Sequence, residues 1–200
     1  MQLSIVAKTL GLLLMVFSFA QVPPILVDLI YSEGEYLTFV FSFILTVLGG
    51  LILWWPFRAI KKSFRLREGV LIVVSFWIVL SLFGTLPFLI TESISNLSFS
   101  NAFFESMSGL TTTGATILSQ LDDLPKSILF YRQQLQWLGG MGIIVLAVAV
   151  LPLLGVGGME LYHAESSGIA KDRLTPKLRN TAIALWKIYL SLTVLCALAY

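Results

Sequence analysis

The sequence predicts an all-α integral membrane fold, on three observations. Hydrophobic residues make up 57% of the 200 residues, above the roughly 45–50% of soluble domains. Charged residues are 12%, about half the usual ~25%. The apolar residues fall into long runs of about 20 or more, the length that crosses a ~30 Å hydrocarbon core as a helix. Mean hydropathy is +0.89. So few charges cannot coat a soluble surface, so most of the chain faces lipid or other apolar helices. The formal net charge of +2 is too small for nucleic-acid binding, and no basic cluster is interleaved with stacking aromatics. One cysteine, Cys196, rules out an intrachain disulfide and a cysteine-based zinc site. The lone His163 argues against a histidine metal site or a Ser-His pair.

Taken in order, the first span lies within 3–30, with Lys8 near its start. It shares an apolar core and the small residues Ser18 and Ala20 with secretory signal peptides. Its start is nearly uncharged before Lys8, however, and Pro23 and Pro24 crowd the cleavage position, so it reads as a retained helix. The second span, 36–57, and the third, 69–91, carry no charge. The fourth, 127–158, is longer than the bilayer needs and must tilt, bend or extend beyond it. The fifth, 181–200, contains Lys187 and runs to the last residue without a cap or stop signal. The sequence therefore reads as a fragment of a longer protein.

Basic residues set the expected orientation. The loop 58–67 (RAIKKSFRLR) holds Arg58, Lys61, Lys62, Arg65 and Arg67, and the loop after the fourth span holds Lys171, Arg173, Lys177 and Arg179. Between the first two spans stand Asp28, Glu33 and Glu35 with no base. Segment 91–126 has Glu92, Glu105, Asp122 and Asp123 against Lys126 alone. The N-terminus and loops 58–67 and 159–180 are thus expected in the cytoplasm, and 28–35 and 91–126 outside.

The segment 98–118 (SFSNAFFESMSGLTTTGATIL) is too polar to span, and both its ends lie on the same side. Its apolar stretch 102–110 predicts a half-length helix, with Ser100 or Asn101 available to cap it and Ser106, Ser108 and Gly109 forming a small polar face. Thr111, Thr112, Thr113, Gly114, Ala115 and Thr116 follow, a run that does not continue a helix well. A short helix and an extended Thr/Gly strand describe a re-entrant pore loop, tolerated at membrane depth only where protein or water surrounds it. The chemistry suits a monovalent cation. Backbone carbonyls of an extended strand replace the hydration shell of potassium, and glycine permits the backbone conformation that turns carbonyls inward. Threonine hydroxyls add oxygens, and the negative end of the half-helix dipole points at the ion. The bland alternative is a Thr-rich surface turn.

These residues carry a resemblance. The run 103–118 (FFESMSGLTTTGATIL) resembles the first pore loop of the Trk/Ktr/HKT superfamily of potassium transporters. The stretch 130–162 is similar to the inner helix that follows it in the bacterial Trk branch, and WWP at 54–56 and REG at 67–69 extend the likeness over nearly the whole chain. The resemblance implies four helix–pore-loop–helix (M1-P-M2) repeats around one pore, preceded by two extra transmembrane helices. In this chain those would be the two helices and basic loop of 1–67, a complete first repeat at 68–159 with its filter at 111–116, a cytoplasmic loop at 160–180, and the start of a second repeat at 181–200. It implies potassium held by backbone oxygens at Thr112 and Thr113, then the filter Gly114, with Thr111 alongside. One quarter of such a filter is present, and the family's gate lies in a later repeat. It further implies a pore-forming subunit of a Trk system in the bacterial inner membrane, with a cytoplasmic nucleotide-binding, TrkA-like regulatory partner, a homodimer, and no cofactor beyond the transported K+. No Walker A or GxGxxG motif occurs in the chain itself.

The remaining candidates have plainer readings beside functional ones. Glu105 reads first as a carboxylate hydrogen-bonded behind the filter to nearby amides, and second as a filter brace or cation attractor. Arg132 reads chiefly as snorkelling to the interface, with pairing to Glu105 or Asp122, or repulsion of cations, as alternatives. Gly139, Gly140 and Gly142 read as close packing against the pore loop rather than a hinge. Trp54, Trp55 and Trp137 read as interfacial or packing aromatics. An intramembrane enzyme would need a nucleophile paired with a base at membrane depth, whereas His163 lies in a loop and Cys196 has no visible partner. A non-transporting membrane subunit would give the Thr/Gly segment no task. Within transport, the rivals are a sodium-permeable relative and a K+/H+ or K+/Na+ symporter. Gly114 favours potassium, because the family's sodium-permeable members can carry serine there.

Overall fold

The computed structural model describes residues 3–60, 66–94, 96–150 and 171–199, and among these there is no β-strand. Expectations for 61–65 and 151–170, including His163, lie outside the described residues. The chain divides into two compact units, Met1–Gly139 and Gly140–Tyr200.

In the first unit, α1 (Leu3–Ser18) passes through a 3-10 turn (Phe19–Gln21) into α2 (Val22–Tyr31). The predicted first span is thus broken. Pro23 and Pro24 sit in the first turn of α2, where their missing N–H groups cost least, and their rings disrupt the preceding turn. α3 (Tyr36–Trp54) ends in a 3-10 turn (Trp55–Phe57) containing Pro56. The third span is also broken, into α4 (Leu66–Gly84) and α5 (Leu86–Ile90), with Pro87 just inside α5. The Thr85 hydroxyl donates back to carbonyls of that break, Leu82 O and Ser81 O. α6 (Phe99–Leu110) and the start of α7 (Lys126–Val150) complete the unit.

Twelve residues of α6 span about 18 Å, roughly half of a bilayer core. The helix is placed inside protein rather than against lipid. Its Ala102 and Leu110 share one buried cluster with Leu14, Phe17, Phe39, Leu80, Phe88, Ile128, Tyr131 and Leu135, drawn from α1, α3, α4, α5 and α7. Tyr131 centres this cluster, edge-on to Phe39 at 5.7 Å and tilted against Phe88 at 5.4 Å, with its hydroxyl donating to Gly84 O at 3.0 Å. Large apolar side chains such as Val16, Phe41, Leu48, Ile52, Val74 and Ile78 point outward, as lipid-facing positions do.

Among the described residues, four helical stretches are long and apolar enough to cross a membrane: Leu3–Tyr31, Tyr36–Phe57, Gly69–Ile90 and Asn180–Ala199. The predicted fourth span is helical as α7 up to Val150, and its remainder lies outside the described residues. In the second unit, α8 (Lys171–Ala199) starts ten residues before the predicted 181, so the polar stretch 171–180, expected as loop, is helical. Hydropathy marks only the apolar part of a helix, and the backbone continues into residues that suit water.

Candidate functional site

The site starts at the N-terminus of α6. Ser98 caps it, its hydroxyl oxygen accepting the Asn101 N–H at 3.2 Å while its carbonyl accepts from Ala102 at 3.0 Å. This corrects the expectation of Ser100 or Asn101. The helix begins three residues earlier than 102, directly after this cap, and Phe99 and Phe103, one turn apart, stack with centroids 6.2 Å apart.

The C-terminus of α6 shapes the loop. The Thr112 N–H donates to Gly109 O at 2.9 Å and the Thr113 N–H to Ser108 O at 2.9 Å. This nested pair is a Schellman closure, which needs a left-handed residue, and that residue is Thr112 at φ 57°. A β-branched side chain there costs roughly 1–2 kcal/mol, so the surrounding bonds hold the loop against strain. The Thr111 hydroxyl reaches Met107 O at 2.8 Å and lies 2.8 Å from that of Thr113. The predicted extended strand is thus interrupted where it starts, with Thr112 and Gly114 (φ +75°) both at positive φ, and 111–116 forms no β-strand. A Cβ at Gly114 would stand 3.3 Å from Gln136 Nε2. Ser108, expected as a small packing residue, donates its hydroxyl to Ala115 O at 2.6 Å. Among the described residues, no hydrogen bond engages the carbonyl oxygens of Thr111, Thr112, Thr113 or Gly114. Those four carbonyls, at the negative end of a half-length helix, can offer oxygen ligands to a cation.

Glu105 anchors the limb that leaves this loop. Its carboxylate accepts the Thr116 hydroxyl at 3.1 Å and the Ile117 N–H at 3.1 Å, and pairs with Arg132 Nε. The Glu105 side chain is 1% exposed and that of Arg132 13%. The plainer reading of Glu105, a carboxylate bonded to backbone behind the loop, is what the structure contains, and the ion pair adds a brace. The pairing of Arg132 with Glu105, one of the alternatives to snorkelling, is what the structure contains. Asp122 is not its partner.

α7 presses on the same loop from behind. A Cβ at Gly139 would lie 2.0 Å from Leu110 O, so only glycine permits this approach of α7 to the end of α6. Within the second unit, a Cβ at Gly140 would meet the Tyr189 hydroxyl at 2.8 Å. Gln136, facing Gly114, was not singled out from sequence; an amide within an apolar span is the signal that marks it. Elsewhere, the Lys8 ammonium donates to Arg58 O at 2.9 Å and Ile60 O at 2.7 Å, and Arg58 stacks over Trp55 at 4.0 Å. Trp54 packs edge-on against Trp55. Among the described residues, no three His, Cys, Asp or Glu side chains gather as a metal site.

The chain is similar to known proteins. The TrkH family model, described as cation transport protein, matches residues 37–200. The Trk system potassium uptake protein TrkH of Halomonas elongata is 55% identical over 201 residues, covering 100% of this chain and 42% of that protein. TrkH of Escherichia coli K12 is 55% identical, covering 97% of this chain and 40% of its own length, and TrkG of the same strain is 41% identical. The crystal structure of the potassium transporter TrkH from Vibrio parahaemolyticus superposes with a TM-score of 0.85 at 51% identity, over 100% of this chain and 39% of that one. The chain thus spans about two fifths of the length of these relatives. With a family match over most of its length and a shared helical fold, the chain belongs to the TrkH cation transport family.

Proposed function

We propose that this chain is the N-terminal part of a pore-forming subunit for potassium uptake by a Trk system in the bacterial inner membrane. Its N-terminus lies in the cytoplasm, and 111–116 supplies one quarter of the filter. Residues 1–67 are the two preceding helices and basic loop, 68–159 the first helix–pore-loop–helix repeat, 160–180 a cytoplasmic loop, and 181–200 the beginning of the second repeat.

The observation that carries this reading is the run of carbonyls at Thr111, Thr112, Thr113 and Gly114, after the C-terminal end of α6, that no hydrogen bond among the described residues engages. A potassium ion shedding water needs several oxygens at once, and such carbonyls supply them at Thr112 and Thr113 without a carboxylate. The α6 dipole adds negative potential. Glu105 and Arg132 hold the return limb at Thr116 and Ile117, so the carbonyl row keeps its spacing when the ion leaves. The other three quarters come from segments beyond this chain. A cytoplasmic nucleotide-binding, TrkA-like subunit regulates the assembly, which is a homodimer with a pore in each protomer. The names of the relatives support the potassium and Trk-system parts of this reading.

The test is flux into liposomes carrying the full-length protein. K+ is expected to enter far faster than Na+ at equal gradients. Equal K+ and Na+ entry, or no K+ entry above empty liposomes, overturns the proposal.

A further inference from the structure

The acidic loop between α2 and α3 is anchored, although Ser32 and Gly34 are exposed and Glu33 and Glu35 only half-buried. Ser32 at φ 55° and Gly34 at φ 87° reverse the chain tightly, and the three carboxylates around them reach far along the sequence. Glu33 accepts the Lys126 N–H at 2.7 Å and the Ser127 N–H at 3.1 Å, the first two amides of α7. Asp28, 1% exposed, accepts the Glu35 and Tyr36 N–H groups, each at 2.9 Å, and the Ser127 hydroxyl at 3.3 Å. Glu35 accepts the Thr38 and Thr91 hydroxyls, each at 2.8 Å, and that of Ser93. One four-residue loop therefore ties together the start of α3, the end of α5 and the start of α7.

The first amides of a helix have no partner within it, and a carboxylate there also meets the positive end of the helix dipole. α7 starts directly after an irregular segment and has no cap of its own making; Glu33 supplies one from about ninety residues away. Six residues further along, about 9 Å of helix rise, the same helix carries Arg132, which holds Glu105 and through it Thr116 and Ile117. On either side of Arg132, Ile128, Tyr131 and Leu135 form the buried stripe that packs against α3, α5 and α6. A shift of the start of α7 is transmitted to Arg132 because this stripe is rigidly packed.

We infer that Glu33 is a positioning residue for the ion filter: by capping α7 from the loop between the first two spans, it sets where Arg132 holds the filter loop. The two N-terminal helices then have a task in selectivity although they contribute no oxygen to the ion. This rests on the filter reading proposed above.

The test uses full-length protein in liposomes, reading the K+/Na+ flux ratio and thermal stability together. Glu33→Ala is expected to lower thermal stability as the loss of one helix cap does, and to lower the ratio several-fold. Glu33→Gln, which keeps one accepting oxygen, is expected to lower it less. Glu92→Ala removes an exposed acid from the adjoining segment without touching α7 and is expected to leave the ratio at the wild-type value. A wild-type ratio in folded Glu33→Ala overturns the inference. So does an equal fall in Glu92→Ala, which would mean that the acids act only by attracting cations. If Glu33→Ala yields no folded protein, Glu33→Gln decides: a ratio below that of the wild type supports the inference and an unchanged one overturns it. Absence of K+ preference in the wild type would instead defeat the proposed function.

Discussion

Arg132→Met is expected to destabilise the full-length protein by about 3–5 kcal/mol, the usual cost of removing one partner of a buried pair. The Glu105 carboxylate, 1% exposed, would keep its bonds to Thr116 and Ile117 but lose its countercharge. Methionine replaces the stem of arginine, so packing loss contributes little. Arg132→Lys is expected to recover part of the loss, because an ammonium restores charge but not the planar donor set. The double variant Glu105→Gln with Arg132→Met is expected to be more stable than Arg132→Met alone, since it removes the stranded charge. Thermal unfolding followed by size-exclusion fluorescence measures all of these. A double variant no more stable than the single would mean that Glu105 and Arg132 do not act as a pair.

Gly139→Ala is the second large effect. Its new Cβ would sit 2.0 Å from Leu110 O, 2.7 Å from Leu110 C and 3.0 Å from Leu110 Cα, all backbone atoms that no rotamer change can move. The end of α6 must retreat, at about 1–3 kcal/mol or more for an overpacked contact. Leu110 immediately precedes Thr111, so the displacement falls on the candidate filter itself. Stability and K+/Na+ discrimination are expected to drop together. Gly69, with nothing within 4 Å of an added Cβ, provides the control: Gly69→Ala is expected to change neither. Matching behaviour of the two alanine variants would refute the close approach of α7 to α6.

The sequence made the long elements legible because an apolar run of span length has few alternatives to a membrane helix. The half-length helix was legible for the converse reason, an apolar stretch too short to span. The breaks near Gln21 and Thr85 were not read, although Pro23, Pro24 and Pro87 stood at both, because hydropathy is blind to backbone hydrogen bonding. Ser98 lost to Ser100 and Asn101 because three capping residues crowd four positions, and only the hydrogen bond from Asn101 N–H to Ser98 tells them apart. Thr112 in a left-handed conformation runs against its β-branched preference, and such a violation concentrates at functional loops. Glu33 and Asp28 read only as outside charges, since contacts spanning about ninety residues leave no local pattern. Of the candidate site, Glu105's bond to a backbone amide and the packing role of Gly139 were legible, while the Arg132 pairing was one of several options.

The central claim is that the Thr111–Gly114 carbonyls select the ion, and Gly114 tests it most directly. At φ +75° any side chain is strained by roughly 1–2 kcal/mol, and a Cβ also presses on Gln136. Full-length wild type, Gly114→Ser and Gly114→Ala should be compared in liposomes under equal K+ and Na+ gradients. The expected result is a wild type that strongly prefers K+ and two variants in which that preference falls by about tenfold, the ratio corresponding to about 1.4 kcal/mol. Variants that retain the wild-type K+/Na+ ratio would contradict the claim and return 111–116 to the status of a surface turn.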